Sequence, residues 1–211
     1  MNRTRIKICG LTRQADVDAA VAAGADALGF VLYAPSARHI SLQRAEALVG
    51  RLPPFVTPVL LFVNATPQEL ARATLALPQA VLQFHGDETP DECRAAARPW
   101  MRAVRMAPGV DLIDCAFRFH GAQALLLDAH VEGYGGGGKV FDWSQIPASV
   151  PLPVVLSGGL SPANVSDGVR RVRPWAVDVS SGVEVSKGIK SAELMRRFCQ
   201  AVREADANAA A

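Results

Sequence analysis

Three side chains in this sequence are of types that move protons or grip anions, and all three stand near the ends of short apolar runs: Cys9, Arg38 and Asp128. Asp128 closes the run Ala122-Gln123-Ala124-Leu125-Leu126-Leu127, so its carboxyl sits where packing stops and a pocket begins. Partial desolvation there favours the protonated form, which a general acid must carry until a substrate oxygen needs the proton. Read alone, the same aspartate also suits a helix cap after a strand. Arg5, Lys7 and Cys9 recur every second residue and therefore share one face of an extended segment. Residues two apart on a strand are about 6.5–7 Å apart, close enough for an ammonium at Lys7 to favour a thiolate at Cys9 and make it a base. A buried strand cysteine is also an ordinary small apolar side chain. Arg38, in Ala34-Pro35-Ser36-Ala37-Arg38-His39, presents a guanidinium fork suited to a carboxylate, or to solvent.

Glycine supplies a second kind of chemistry. Ser157-Gly158-Gly159 and Ser180-Ser181-Gly182 each follow an apolar run, and Tyr134–Lys139 (YGGGGK), with Gly136, Gly137 and Gly138 at its heart, precedes Val140-Phe141-Asp142-Trp143. Glycine lets backbone N–H groups approach an anion closely, and a short helix after the loop adds its positive end. One such loop is as readily a tight turn; three in succession predict a phosphate cradle.

Positioning these groups at one place requires a particular architecture. Short β-branched or apolar runs alternate with longer helical stretches from end to end, which predicts strands near Arg5–Cys9, Ala27–Leu32, Val56–Val63, Ala80–His85, Met101–Met106, Ala122–Asp128, Val154–Ser157 and Ala176–Ser180. Helices are expected over Arg13–Ala23, Leu42–Arg51, Pro67–Leu77, Pro90–Ala97, Val110–Arg118, Pro162–Val172 and Ala192–Ala205, with a short turn around Trp143–Ala148. Thr66-Pro67, Thr89-Pro90 and Ser161-Pro162 mark helix starts. Eight strand–helix units predict an α/β fold, a single (β/α)8 TIM barrel of the phosphate-binding type over residues 1–205, with 206–211 as a frayed tail. An open doubly wound sheet is the competing arrangement, but it gathers its ligand groups at one switch point, whereas polar or glycine residues here follow nearly every strand. Barrel enzymes work at the C-terminal ends of their strands, where Cys9, Arg38, His85, Asp128, Ser157, Asp178 and Ser180 all fall.

The totals exclude other classes. With 22 Lys+Arg against 20 Asp+Glu there is no field that would draw the whole molecule to nucleic acid. The N-terminal run is too charged for a signal peptide and no apolar stretch approaches a membrane span, so no membrane partner is expected. Cys9, Cys93, Cys115 and Cys199 form no CxxC pair, which suits free thiols in the cytoplasm. His39, His85, His120 and His130 have no ligand-like spacing, so no metal is expected. Arg170, Arg171 and Arg173 fit a solvated helix end.

In combination these segments resemble the phosphoribosylanthranilate isomerase family of tryptophan biosynthesis, over nearly the whole chain from Lys7 onward. The resemblance is carried by Lys7-Ile8-Cys9-Gly10-Leu11-Thr12, Ser36-Ala37-Arg38, Phe62-Val63-Asn64 and Gln83-Phe84-His85-Gly86-Asp87-Glu88. It continues through Gly135–Lys139 with Phe141-Asp142-Trp143, Leu156-Ser157-Gly158-Gly159-Leu160, and Asp178-Val179-Ser180-Ser181-Gly182-Val183-Glu184. It implies a cofactor-free Amadori rearrangement of a small phosphoribosyl substrate, in which Asp128 protonates the ribose ring oxygen and Cys9 removes a proton from the adjacent sugar carbon. It further implies that Arg38 meets the anthranilate carboxylate, that Asp178 orients ribose hydroxyls, that His85 lines the pocket, and that amides near Gly136–Gly138, Gly158-Gly159 and Ser180–Gly182 hold phosphate. Two residues depart from the family pattern: Gly137 stands at a usual hydroxyl position, and Ala37 replaces the usual proline.

Other readings place different chemistry on the same barrel. A metal-dependent epimerase would need histidine and aspartate ligands at strand ends. The related histidine-pathway isomerase would use an aspartate where Cys9 stands. A sensor would bind the phosphorylated metabolite without turnover.

Overall fold

The computed structural model describes residues 3–129 and 140–209. Among them, eight parallel strands close into a barrel: β1 (Arg5–Cys9), β2 (Ala27–Val31), β3 (Thr57–Phe62), β4 (Val81–Phe84), β5 (Trp100–Met106), β6 (Leu125–Ala129), β7 (Val154–Leu156) and β8 (Ala176–Val179). The connecting helices are α1 (Gln14–Ala23), α2 (Leu42–Val49), α3 (Pro67–Ala76), α4 (Pro90–Ala95), α5 (Leu112–Arg118), α6 (Val165–Val172) and α7 (Ala192–Ala209). Among the described residues between β6 and β7, the helical element is a 3-10 turn, Trp143–Gln145. The closed ring rules out the open-sheet alternative.

Local chemistry explains most of these boundaries. Thr66 and Thr89 each build a capping box, with Glu69 and Glu92 three residues on and proline in the first helical position. The expected start at Ser161-Pro162 is displaced. Asn164 Oδ1 accepts from the Ser161 amide at 2.8 Å and the residues between form a turn, so α6 begins only at Val165. The C-terminal segment also differs from expectation. It is helical through Ala209, and Asp206 accepts from the Thr4 amide at 2.8 Å and the Thr4 hydroxyl at 2.7 Å, which ties the helix to the start of β1 instead of letting it fray from 206.

The barrel has two apolar compartments, and their separation follows from the two-residue period of a strand. Outward residues such as Ile6, Ile8, Leu28, Phe30, Leu60, Phe62, Leu82 and Phe84 pack under the helices. Inward residues Val59, Met101, Ala103, Ala124, Leu126, Val155 and Ala176 form a second cluster inside the ring, with Val81 against it. Two residues further along the same inner faces the chemistry changes. Val81 is followed by Gln83 and His85, Leu126 by Asp128, and Ala176 by Asp178, all buried. The apolar plug therefore forms the floor on which the polar groups stand.

Glycine matters at one packing point beside Cys9. Gly29 on β2 pairs with Cys9 on β1, and a Cβ built on it would lie 2.6 Å from Cys9 Sγ and 3.0 Å from Cys9 Cα. Backbone cannot give way there without shifting the strand. With Cys9 in the role of base that the resemblance implies, Gly29→Ala is expected to lower kcat roughly 10- to 100-fold through misplacement of the thiol, while the thermal melting curve remains a single cooperative transition; steady-state kinetics beside calorimetry would measure both.

Candidate active site

The strand ends converge on one pocket whose lining includes Cys9, Arg38, His85, Asp128, Asp178 and Ser181. Gly158, Gly159 and Ser180 line it as well, so the site residues expected from β1, β4, β6, β7, β8 and the loop after β2 meet at one place. Gly182 packs behind that lining. A Cβ there would run into the Leu160 carbonyl, which brings the loop after β8 directly against the loop after β7. Gly158 and Gly159 both hold the left-handed conformation (φ 77° and 67°), so an L side chain at either position would be strained. Gly136, Gly137 and Gly138, with the rest of 130–139, lie outside the described residues.

Cys9 is buried between an ion pair and the pocket. Lys7 Nζ donates to Asp178 Oδ1 at 2.7 Å, with both residues almost wholly enclosed, and the two strands pair them in register. Burial opposes the Lys7 ammonium, but Asp178, and behind it Cys9, outweigh burial and hold the lysine above its ordinary pKa. For the thiol the balance runs the other way. Burial pushes Cys9 up, Lys7 pulls it down, and burial prevails, so Lys7 lessens the shift without reversing it. Lys7→Met removes the counter-effect. It is expected to move the pH profile of Cys9 alkylation to still higher pH, read as iodoacetamide rate against pH with the rate of the Cys9→Ala protein subtracted, in samples whose folding is checked by circular dichroism. The subtraction matters because Cys115 is part-exposed, whereas Cys93 and Cys199 are buried, with thiols raised to about 12 and about 11.

Asp178 is more heavily committed than the sequence suggested. Its second oxygen accepts from Ser157 Oγ at 3.2 Å while the first is bound by Lys7, so in this arrangement it is first of all the lysine's counter-ion. Asp128 Oδ1 accepts from the Ala129 amide at 2.9 Å, and Oδ2 lies 3.2 Å from His85 Nε2. Such a carboxyl is held in place on one oxygen and open to the pocket on the other.

Arg38 does not wait in solvent. Its Nε and one terminal nitrogen donate to the two carboxylate oxygens of Glu184, each at 2.8 Å, and Lys190 Nζ reaches Glu184 Oε1 at 2.8 Å. Burial acts against the Glu184 carboxylate, but Arg38 and Lys190 outweigh it and hold it below its usual range. The fork is pre-oriented at one edge, leaving the remaining guanidinium nitrogen for an anion. The Ser36 hydroxyl accepts from the Arg38 amide at 3.1 Å, a local brace in a loop that has Ala37 in place of proline. Glu184 and Lys190 were missed as partners. They sit on a small antiparallel pair, β9 (Glu184–Ser186) and β10 (Ile189–Lys190), too short to leave a periodic signal. Lys190 also donates to the Ser180 carbonyl at 3.0 Å, so it ties the loop after β8 to the Arg38 partner. Among the described residues no cluster of three or more His, Cys, Asp or Glu is placed to hold a metal ion.

A closed parallel barrel with a thiol, a carboxyl and glycine-containing loops gathered at the C-terminal ends of its strands defines the class as a phosphate-binding (β/α)8 enzyme. Within that class, the family model for N-(5'-phosphoribosyl)anthranilate (PRA) isomerase matches residues 6–201, and the chain belongs to that family. An N-(5'-phosphoribosyl)anthranilate isomerase of Methylibium petroleiphilum is 70% identical over 209 residues, covering 99% of this chain and 98% of its own. The crystal structure of phosphoribosyl anthranilate isomerase from Thermotoga maritima superposes with a TM-score of 0.87 at 38% identity, covering 95% of this chain and 99% of that one. A further structure of phosphoribosyl anthranilate isomerase, in complex with reduced 1-(o-carboxyphenylamino)-1-deoxyribulose 5-phosphate, gives a TM-score of 0.85 at 36% identity, with 95% and 99% coverage.

Proposed function

We propose that this chain converts N-(5'-phosphoribosyl)anthranilate to 1-(2-carboxyphenylamino)-1-deoxyribulose 5-phosphate in tryptophan biosynthesis, with Asp128 as general acid and Cys9 as general base. The observation that carries the reading is that both groups line one pocket, with the Arg38 fork and the Gly158, Gly159, Ser180 and Ser181 loops around the same opening. A substrate carrying a carboxylate at one end and a phosphate at the other spans such a pocket in one orientation.

In the first step the anilino nitrogen lone pair forms a C1=N bond as the ring C1–O bond breaks, and the ring oxygen takes the proton of Asp128. The Cys9 thiolate then removes the proton on C2, whose electrons form the C1=C2 bond and neutralise the iminium nitrogen. The enolamine so formed tautomerises to the ketone, with a proton added at C1. No atom is lost and no electron leaves the substrate, so one acid and one base suffice. Arg38 holds the anthranilate carboxylate. Amides of Gly158, Gly159 and Ser180–Gly182 hold phosphate together with the Gly136–Gly138 segment, and Asp178 and His85 line the sugar's place. The unpaired thiols fit a cytoplasmic setting.

The decisive measurement is turnover by the purified protein, followed as the decay of anthranilate-type fluorescence when N-(5'-phosphoribosyl)anthranilate is added, with the product identified by mass and by carbonyl reactivity. Steady decay with product formation is expected. Stoichiometric binding without decay would point instead to a sensor.

A further inference from the structure

The fourth strand carries a buried Gln83, and buried His85 stands directly past its end, at 1% and 6% exposure. Two residues apart on a nearly extended segment, both line the pocket. Gln83 Nε2 lies 3.0 Å from His85 Nδ1. With the amide in this orientation its NH2 donates, so Nδ1 accepts and the ring proton resides on Nε2. That nitrogen is 3.2 Å from Asp128 Oδ2 but off the line of a hydrogen bond, a buried donor with no partner in the described arrangement.

We infer that Gln83 and His85 are positioning residues for the general acid: Gln83 orients the imidazole with its proton on Nε2, and that N–H receives the Asp128 carboxylate as the carboxyl gives its proton to substrate. The inference rests on Asp128 being the acid. A small rotation of either side chain converts the 3.2 Å approach into a hydrogen bond once charge develops on Oδ2, since catalytic hydrogen bonds tighten in the reacting complex. Among the described residues the other groups facing Asp128 do not supply this donor. From β5, Arg105 is its register partner, with its guanidinium 3.9 Å from Asp87. From β7, the Ser157 hydroxyl is given to Asp178, and from β1 and β8 the Lys7 ammonium is given to Asp178 as well, beside the Cys9 thiol. The Ala129 amide serves the other oxygen.

A donor to the carboxylate stabilises the charge left on Oδ2 as the proton departs, so its removal should slow that transfer without loosening substrate. His85→Leu is expected to lower kcat roughly tenfold with KM nearly constant. His85→Gln, whose amide nitrogen falls near the place of ring Nε2, restores kcat. In the wild-type protein, nitrogen-15 NMR should find the His85 ring proton on Nε2, and Gln83→Glu, which offers Nδ1 an acceptor, should place a proton on Nδ1. An Nδ1–H tautomer in the wild type, an unchanged kcat in His85→Leu, or a His85→Gln protein behaving like His85→Leu would each overturn the inference. Asp128→Asn separates the two levels: full activity there removes the acid assignment itself, whereas an inactive Asp128→Asn beside a fully active His85→Leu removes only the relay.

Discussion

Asp128→Asn is expected to lower kcat on the order of 10³-fold and to leave KM within about threefold, because it deletes a proton and almost no volume. The side chain ends an inner strand face that is apolar as far as Leu126, so the amide occupies the same enclosed place, and its Oδ1 position still accepts from the Ala129 amide. In the mechanism proposed above, what is lost is the transfer to the ribose ring oxygen, after which ring opening must proceed to an unprotonated alkoxide. Stopped-flow and steady-state fluorescence on the purified variant, with a binding titration of the product, measure the two parameters separately. A KM rise with kcat retained would reassign Asp128 to binding.

Cys9→Ala and Cys9→Ser are expected to match it, each losing about 10³-fold in kcat, and the serine variant makes the result informative. Serine nearly preserves the packing against Gly29, so a loss shared by both variants belongs to the missing base and not to a cavity. The direction of the thiol's shift adds a pH test. Burial holds Cys9 protonated beyond the ordinary range of a cysteine, even with Lys7 beside it. A reaction that needs the thiolate in the free protein therefore gains kcat/KM as pH rises through and past the ordinary thiol range, and loses it as pH falls. That ascending limb should vanish from the residual activity of both variants. A limb that persists in them would assign the base elsewhere.

How legible this protein was in its sequence differs between framework and contacts. The alternation of strand and helix gave every barrel strand to within a few residues, since a parallel strand is short, β-branched and bounded by polar turns, and Thr66-Pro67 and Thr89-Pro90 are capping signals that act over three residues. The groups at the pocket were legible for the same reason, because chemistry in a barrel is confined to strand ends. The β9–β10 pair was not, since two or three residues carry no period. Nor was Gln83 visible as anything but an inward strand residue, because its meaning lies in the 3.0 Å approach to a ring two residues on and, through it, to another strand.

Local information determined the elements, the inner faces and the types of group at the strand ends, because helix caps, two-residue periodicity and glycine conformation act within a few residues. Only closure of the ring decided which groups meet. It set Lys7 beside Asp178 across 171 positions of chain, and Arg38 on Glu184 across 146. It also turned the expected effect of Lys7 on Cys9 into a partial one, since desolvation is a property of the surrounding shell and no sequence spacing contains it.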